Sequence, residues 1–129
     1  MRVRDDSEWQ AIAGYSRGAR VGDFIAISGT TALDRNGRLV RDMATYEQTH
    51  QCLQRVIGAA VDLGASRQTI IRTRIYLVPD ADPEEASRAH LELLGDVAPA
   101  NTMVIVAGLI GEGLLVEVEL EARVQGGAG

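Results

Sequence analysis

With 13 lysines and arginines against 18 aspartates and glutamates in 129 residues, the chain carries a formal charge of −5, which argues against a protein built mainly to hold nucleic acid. Hydrophobic residues at 46% and charged residues at 24% describe an ordinary soluble domain with length enough for one core. Arg17, Arg20, Arg72 and Arg74 are left as candidates for a local basic patch. Cys52 is the only cysteine, which rules out an internal disulfide and suits a reducing, cytoplasmic setting. The opening Met-Arg-Val-Arg-Asp-Asp is too polar for a secretory signal, and no apolar run reaches the ~20 residues of a membrane helix.

Residues 1–14 show no periodicity and read as an arm laid over a single domain spanning 1–129. Gly22-Asp23 makes a two-residue hairpin turn between Ala19–Val21 and Phe24–Ser28, with Gly29 closing the second strand. Asn36-Gly37 marks another tight turn within 32–40, where a short strand pair is expected. Thr45-Tyr46-Glu47-Gln48 has capping-box form, with Thr45 as the N-cap. Cys52, Leu53, Val56, Ile57, Ala60 and Val61 then repeat at helical spacing as far as Gly64, a natural C-terminal cap residue. Cys52 sits in that stripe and reads as a small buried hydrophobe rather than a nucleophile.

Thr69 to Val78 is β-branched and strand-like. Alternation puts Ile71, Thr73, Ile75 and Leu77 on one face and Ile70, Arg72, Arg74, Tyr76 and Val78 on the other. Asp82-Pro83-Glu84-Glu85 opens a second helix, with Asp82 as N-cap and Pro83 at the first helical position. Ala86, Ala89, Leu93 and Leu94 form its buried stripe, and Gly95 ends it. Pro99 leads into two final strands separated by a turn at Gly111 and Gly113. In the last strand Val116, Val118 and Leu120 alternate with Glu117, Glu119 and Glu121. Carboxylates in a row repel unless water or a donor lies opposite, and cross-strand pairing with Arg72 or Arg74 would supply one. The tail 125–129 is expected to fray.

The order is hairpin, helix, strand, helix, strand, strand, which fits an α+β fold: a single mixed sheet with two helices packed on one face. The other face, carrying the arginines and glutamates, has no cover within the chain, which favours an oligomer. Phosphate loops, dinucleotide-binding glycine patterns and nucleophile elbows are absent from the sequence. His50 and His90 lack ligand spacing, so no metal site is expected.

Gly14-Tyr15-Ser16, Val21-Gly22-Asp23-Phe24-Ile25-Ala26-Ile27-Ser28-Gly29, Leu63-Gly64-Ala65-Ser66, Tyr76-Leu77-Val78-Pro79-Asp80, Pro99-Ala100 and Val116-Glu117-Val118-Glu119 follow in the order and spacing of the Rid (YjgF) family. These are the reactive-intermediate imine/enamine deaminases, also labelled endoribonuclease L-PSP. The resemblance implies a chorismate-mutase-like fold and a homotrimer, with the sheets forming a central barrel and small-molecule pockets at the subunit interfaces. Family deaminases hydrolyse a small 2-imino or 2-enamino acid to a 2-oxo acid and ammonia without a cofactor. Carried over residue by residue, Tyr15, Ser28, Gly29 and Thr30 would line the pocket, and Glu117 would be the catalytic group that orients or activates water.

One departure bears on the substrate. The family deaminases have Pro-Ala-Arg, whose arginine grips the substrate carboxylate as a bidentate fork; here the triplet is Pro99-Ala100-Asn101. The small residue usual two places on is Met103, and the asparagine of some members on the second helix is Ser87. The resemblance therefore implies the pocket, with Ser87, Asn101 and Met103 in it, but not the usual 2-imino acid substrates. Two functions stay open: a hydrolase, deaminase or tautomerase acting on an imine, enamine or related carbonyl compound, and a non-catalytic metabolite-binding or regulatory trimer. Neither nucleic acid nor a membrane is an expected partner.

Overall fold

The computed structural model describes residues 1–33, 40 and 42–126. Six strands form one sheet in the order β1-β2-β3-β6-β4-β5, with β1 at Arg2–Val3, β2 at Gly18–Val21, β3 at Phe24–Thr30, β4 at Ile70–Leu77, β5 at Ala100–Ile105 and β6 at Val116–Arg123. Helices α1 (Glu8–Ala13), α2 (Thr45–Asp62) and α3 (Pro83–Leu94) and a short 3-10 helix at Arg67–Thr69 complete the described elements. The sheet is mixed: β4 runs parallel to β5, and its other pairs are antiparallel. The last two strands are thus not neighbours. β4 lies between them, because α3 carries the chain across from β4 to β5 while β6 returns to the centre.

Alternation in β6 sets the layers. Val116, Val118 and Leu120 are fully buried or nearly so and pack with Ile25, Ile75, Leu77, Cys52, Leu53 and Val56 beneath the helices. Their neighbours Glu117, Glu119 and Glu121 lie half-buried on the opposite face. There Arg74 answers them, with Nη1 at 2.8 Å from Glu121 Oε1 and 3.7 Å from Glu119 Oε1. The Tyr76 hydroxyl donates to Glu119 as well. A half-exposed pair of this kind is weak, so it relieves repulsion rather than holding the sheet together.

The arm is more structured than its sequence suggests. β1 pairs with β2, and α1 follows the Asp5 turn, where Asp5 Oδ1 accepts from Ser7 N at 2.9 Å and from Gln10 Nε2 at 2.6 Å. At α2 the N-cap is Ala44, one residue earlier than expected, and no side chain caps it. Thr45 Oγ1 instead accepts from Asp82 N at 3.0 Å, tying α2 to the start of α3. Gln48 turns inward to hold Gly113 O and Leu115 N, each at 2.9 Å. Val61 is 49% exposed, outside the buried stripe. In β4 a register shift between Ile70 and Arg72 buries Ile70 and exposes Ile71, the reverse of simple alternation. The Asp82 cap and Pro83 stand as read from the sequence, with Asp82 Oδ1 accepting from Glu84 N at 2.9 Å. The Asn36-Gly37 turn lies outside the described residues, as do 127–129 of the tail.

Candidate functional site

The site begins with an irregularity in β3. Ile27 pairs with Leu120 and Thr30 with Val118, so Ser28 and Gly29 together oppose one residue of β6. Such a bulge re-aims the local chain, and β3 runs through it to Thr30 rather than ending at Gly29. Gly29 is pressed against Glu117: a Cβ there would lie 2.8 Å from Glu117 Oε1. Ser28 holds the preceding loop, its N–H donating to Arg17 O at 3.0 Å and its Oγ to Ser16 O at 2.7 Å. These bonds position Arg17, while Tyr15 N donates to Gln10 O at 3.1 Å.

Around this bulge opens a cavity of about 740 Å³, lined by Tyr15, Arg17, Gly29, Arg55 and Glu117, with Asp5 and the arm forming one wall. The Arg17 side chain is only 11% exposed. Its Nη2 donates to Gly29 O at 2.6 Å, and among the described residues its Nε is the buried side-chain nitrogen without a hydrogen-bond partner. Arg55, from α2, donates to Thr31 O, while Gln51 one turn earlier holds both backbone groups of Leu33. Burial raises the Glu117 carboxyl above its ordinary value, the Glu119 charge adds to this, and Arg17 opposes it. Burial likewise lowers Arg17 from its usual value, against the pull of Asp5. A carboxyl shifted toward neutrality can take a proton from water and return it.

The remaining residues singled out from the sequence lie elsewhere. Thr30 is buried, and its hydroxyl donates to Ser28 O at 2.8 Å. Ser87, Asn101 and Met103 line a separate cavity of about 300 Å³ together with His90. There Asn101 Nδ2 donates to Thr73 Oγ1 at 3.0 Å, and His90 Nε2 lies 2.8 Å from the same oxygen. Ser87 Oγ donates to Pro83 O at 2.8 Å. Cys52 is fully buried, and burial pushes its thiol up to about 12. Arg20 is committed to Gly22 O and Leu63 O and Arg74 to glutamates, so the suggested basic patch does not assemble. Sequence reasoning missed Arg55 as a lining residue, and it placed Arg17 only among diffuse positive charge. Among the described residues, no three His, Cys, Asp or Glu side chains cluster as a metal site needs.

Fold and cavity define a small α+β pocket protein. Residues 6–124 match the family model described as endoribonuclease L-PSP, and the chain belongs to that family, known also as YjgF or Rid. An uncharacterized protein of Streptomyces coelicolor is 35% identical over 121 residues, covering 94% of this chain and 90% of its own. A crystal structure of a YjgF/YER057c/UK114 family member from Mycobacterium tuberculosis superposes with a TM-score of 0.85 at 34% identity, covering 96% of this chain and 98% of that one. A RutC family protein of Pyrococcus abyssi is 28% identical over 109 residues, 84% of each chain. These likenesses extend over nearly the whole fold, and family membership supports a small-molecule-processing role.

Proposed function

We propose that the chain is a pocket enzyme that hydrolyses a small imine, enamine or related carbonyl compound, with Glu117 as the acid/base. The observation that carries this reading is Glu117 itself: a half-buried carboxylate on a cavity, its carboxyl raised by burial, set against the Gly29 backbone and close to Arg17. In the reaction, the Glu117 carboxylate accepts a proton from water as the water oxygen adds to the C=N carbon, and passes it to the nitrogen to give the carbinolamine. Glu117 then takes the carbinolamine hydroxyl proton as C=O forms and delivers it to the departing nitrogen, which leaves as ammonia. Tyr15 and the backbone of Gly29 orient the substrate. Asn101 has no guanidinium to clamp a carboxylate, so small 2-imino acids gripped from that position are poor substrates.

The working unit is a homotrimer in which the sheet face bearing Arg74, Tyr76 and the glutamates is turned inward. The two cavities of one chain are then half-sites completed by neighbouring copies, which would bring Ser87, Asn101 and Met103 opposite Glu117. The exposure of Val104 at 41% and Ile105 at 64% on the edge strand β5 supports such a contact. The test is ammonia release from a panel of imines generated in situ, with and without a carboxylate, alongside sedimentation of the protein. Release above background by a species three times the 13.8 kDa chain is expected. A monomer at micromolar concentration removes the interface, and a binder without turnover turns the reading toward a metabolite-binding or regulatory trimer.

A further inference from the structure

Two guanidinium groups line the Glu117 cavity, Arg17 from the loop before β2 and Arg55 from α2. Each is anchored through one nitrogen to the backbone beside the bulge, Arg17 to Gly29 O and Arg55 to Thr31 O. Asp5 reaches both, and its contacts are long: Asp5 Oδ2 is 3.9 Å from Arg17 Nη1 and 3.5 Å from Arg55 Nη2. The other Asp5 oxygen is fully occupied by Ser7 N and Gln10 Nε2. Among the described residues these two neighbouring cations share the loosely held Asp5, with the Glu117 carboxylate facing Arg17 across the same cavity, and Arg17 Nε is buried without a partner. Direct charge-assisted pairs close to about 2.7–2.9 Å, so the site is under-filled. Asp5 sits on the arm, its side chain 34% exposed.

We infer that Arg17 and Arg55 form an anion subsite for a ligand carboxylate, and that Asp5 is the chain's own carboxylate standing in for it until the ligand arrives. The subsite is distinct from position 101: Asn101 lines the other cavity and is bonded to Thr73. The inference rests on the reading of the Glu117 cavity as the ligand site. It adds that the ligand is anionic, and that it is anchored by the residues holding the bulge rather than by the final strands. Arg74 has no part in it, being committed to Glu119 and Glu121.

Butyrate and its uncharged isostere butyramide, titrated by calorimetry into the full chain, test this without any chemistry taking place. Asp5→Asn keeps the oxygen that caps Ser7 and Gln10 while deleting the competing charge. Butyrate affinity should rise by up to about fivefold in that variant, the equivalent of one displaced, partly exposed ion pair, with butyramide unaffected. Arg55→Gln should abolish butyrate binding while leaving the melting temperature near that of wild type, and Arg123→Gln, an arginine paired with Asp23 away from the cavity, should leave butyrate binding unchanged. Equal affinity for butyrate in wild type and Asp5→Asn overturns the inference, as does retained binding in Arg55→Gln or no butyrate binding by any form. The two readings fail separately: ammonia release without butyrate binding removes the anion subsite alone, while butyrate binding without ammonia release removes the hydrolase alone.

Discussion

Gly29 and Glu117 are built around each other: the glutamate carboxylate occupies the space where any other residue at position 29 would put its Cβ, 2.8 Å from Oε1. The Gly29 backbone is not in the left-handed region, so an alanine meets no conformational barrier there, only the carboxylate. Gly29→Ala should therefore leave the melting temperature almost unchanged. It should lower ammonia release by up to about a hundredfold, since misplacing a catalytic group by an ångström costs that much. Unchanged turnover with unchanged stability would show that the position of Glu117 is immaterial.

His90 offers a test in stability. Burial lowers its imidazole from the ordinary value of 6.5, and its Nε2 bonds the buried Thr73 hydroxyl. The unfolded chain binds the proton more readily than the folded one. Stability from this group is thus present above pH 6.5 and is lost as pH falls through the lower folded value. Urea midpoints should drop on acidification more steeply in wild type than in His90→Gln. Parallel curves would contradict the assignment.

Cys52 should be chemically silent. It is fully buried and its thiol is pushed up to about 12, leaving almost no thiolate at neutral pH. A disulfide reagent should label it only as fast as the protein unfolds, and labelling should accelerate with urea. Rapid labelling of the folded protein would mean that the α2 stripe opens.

The sheet and its two long helices were legible because their signals are local and repeated: the Gly22-Asp23 turn, the Asp82-Pro83 start and the valine–glutamate alternation of β6. The bulges at Ser28-Gly29 and Ile71 were not, since a single inserted residue leaves the pattern of residue types intact while exchanging which side chains are buried. β1 and α1 are too short for periodicity to register. Thr45 and Gln48 mimic a capping box, but both side chains have partners in distant segments, Asp82 for one and the stretch before β6 for the other. Glu117 could be picked out through the family resemblance. Arg17 and Arg55 could not, because each looks like an ordinary polar residue until the arm, the bulge and α2 are brought together.

The most direct measurement is the pH dependence of ammonia release by wild type and Glu117→Gln on the best imine of the panel. If Glu117 is the base, kcat/KM for wild type climbs with pH through a midpoint above the ordinary glutamate value of 4.5, following the upward shift from burial. Glu117→Gln should then lose at least about a hundredfold in kcat, the usual contribution of a positioned acid/base, along with that limb of the profile. A Gln variant that keeps the wild-type rate and profile would place the chemistry elsewhere and contradict the account.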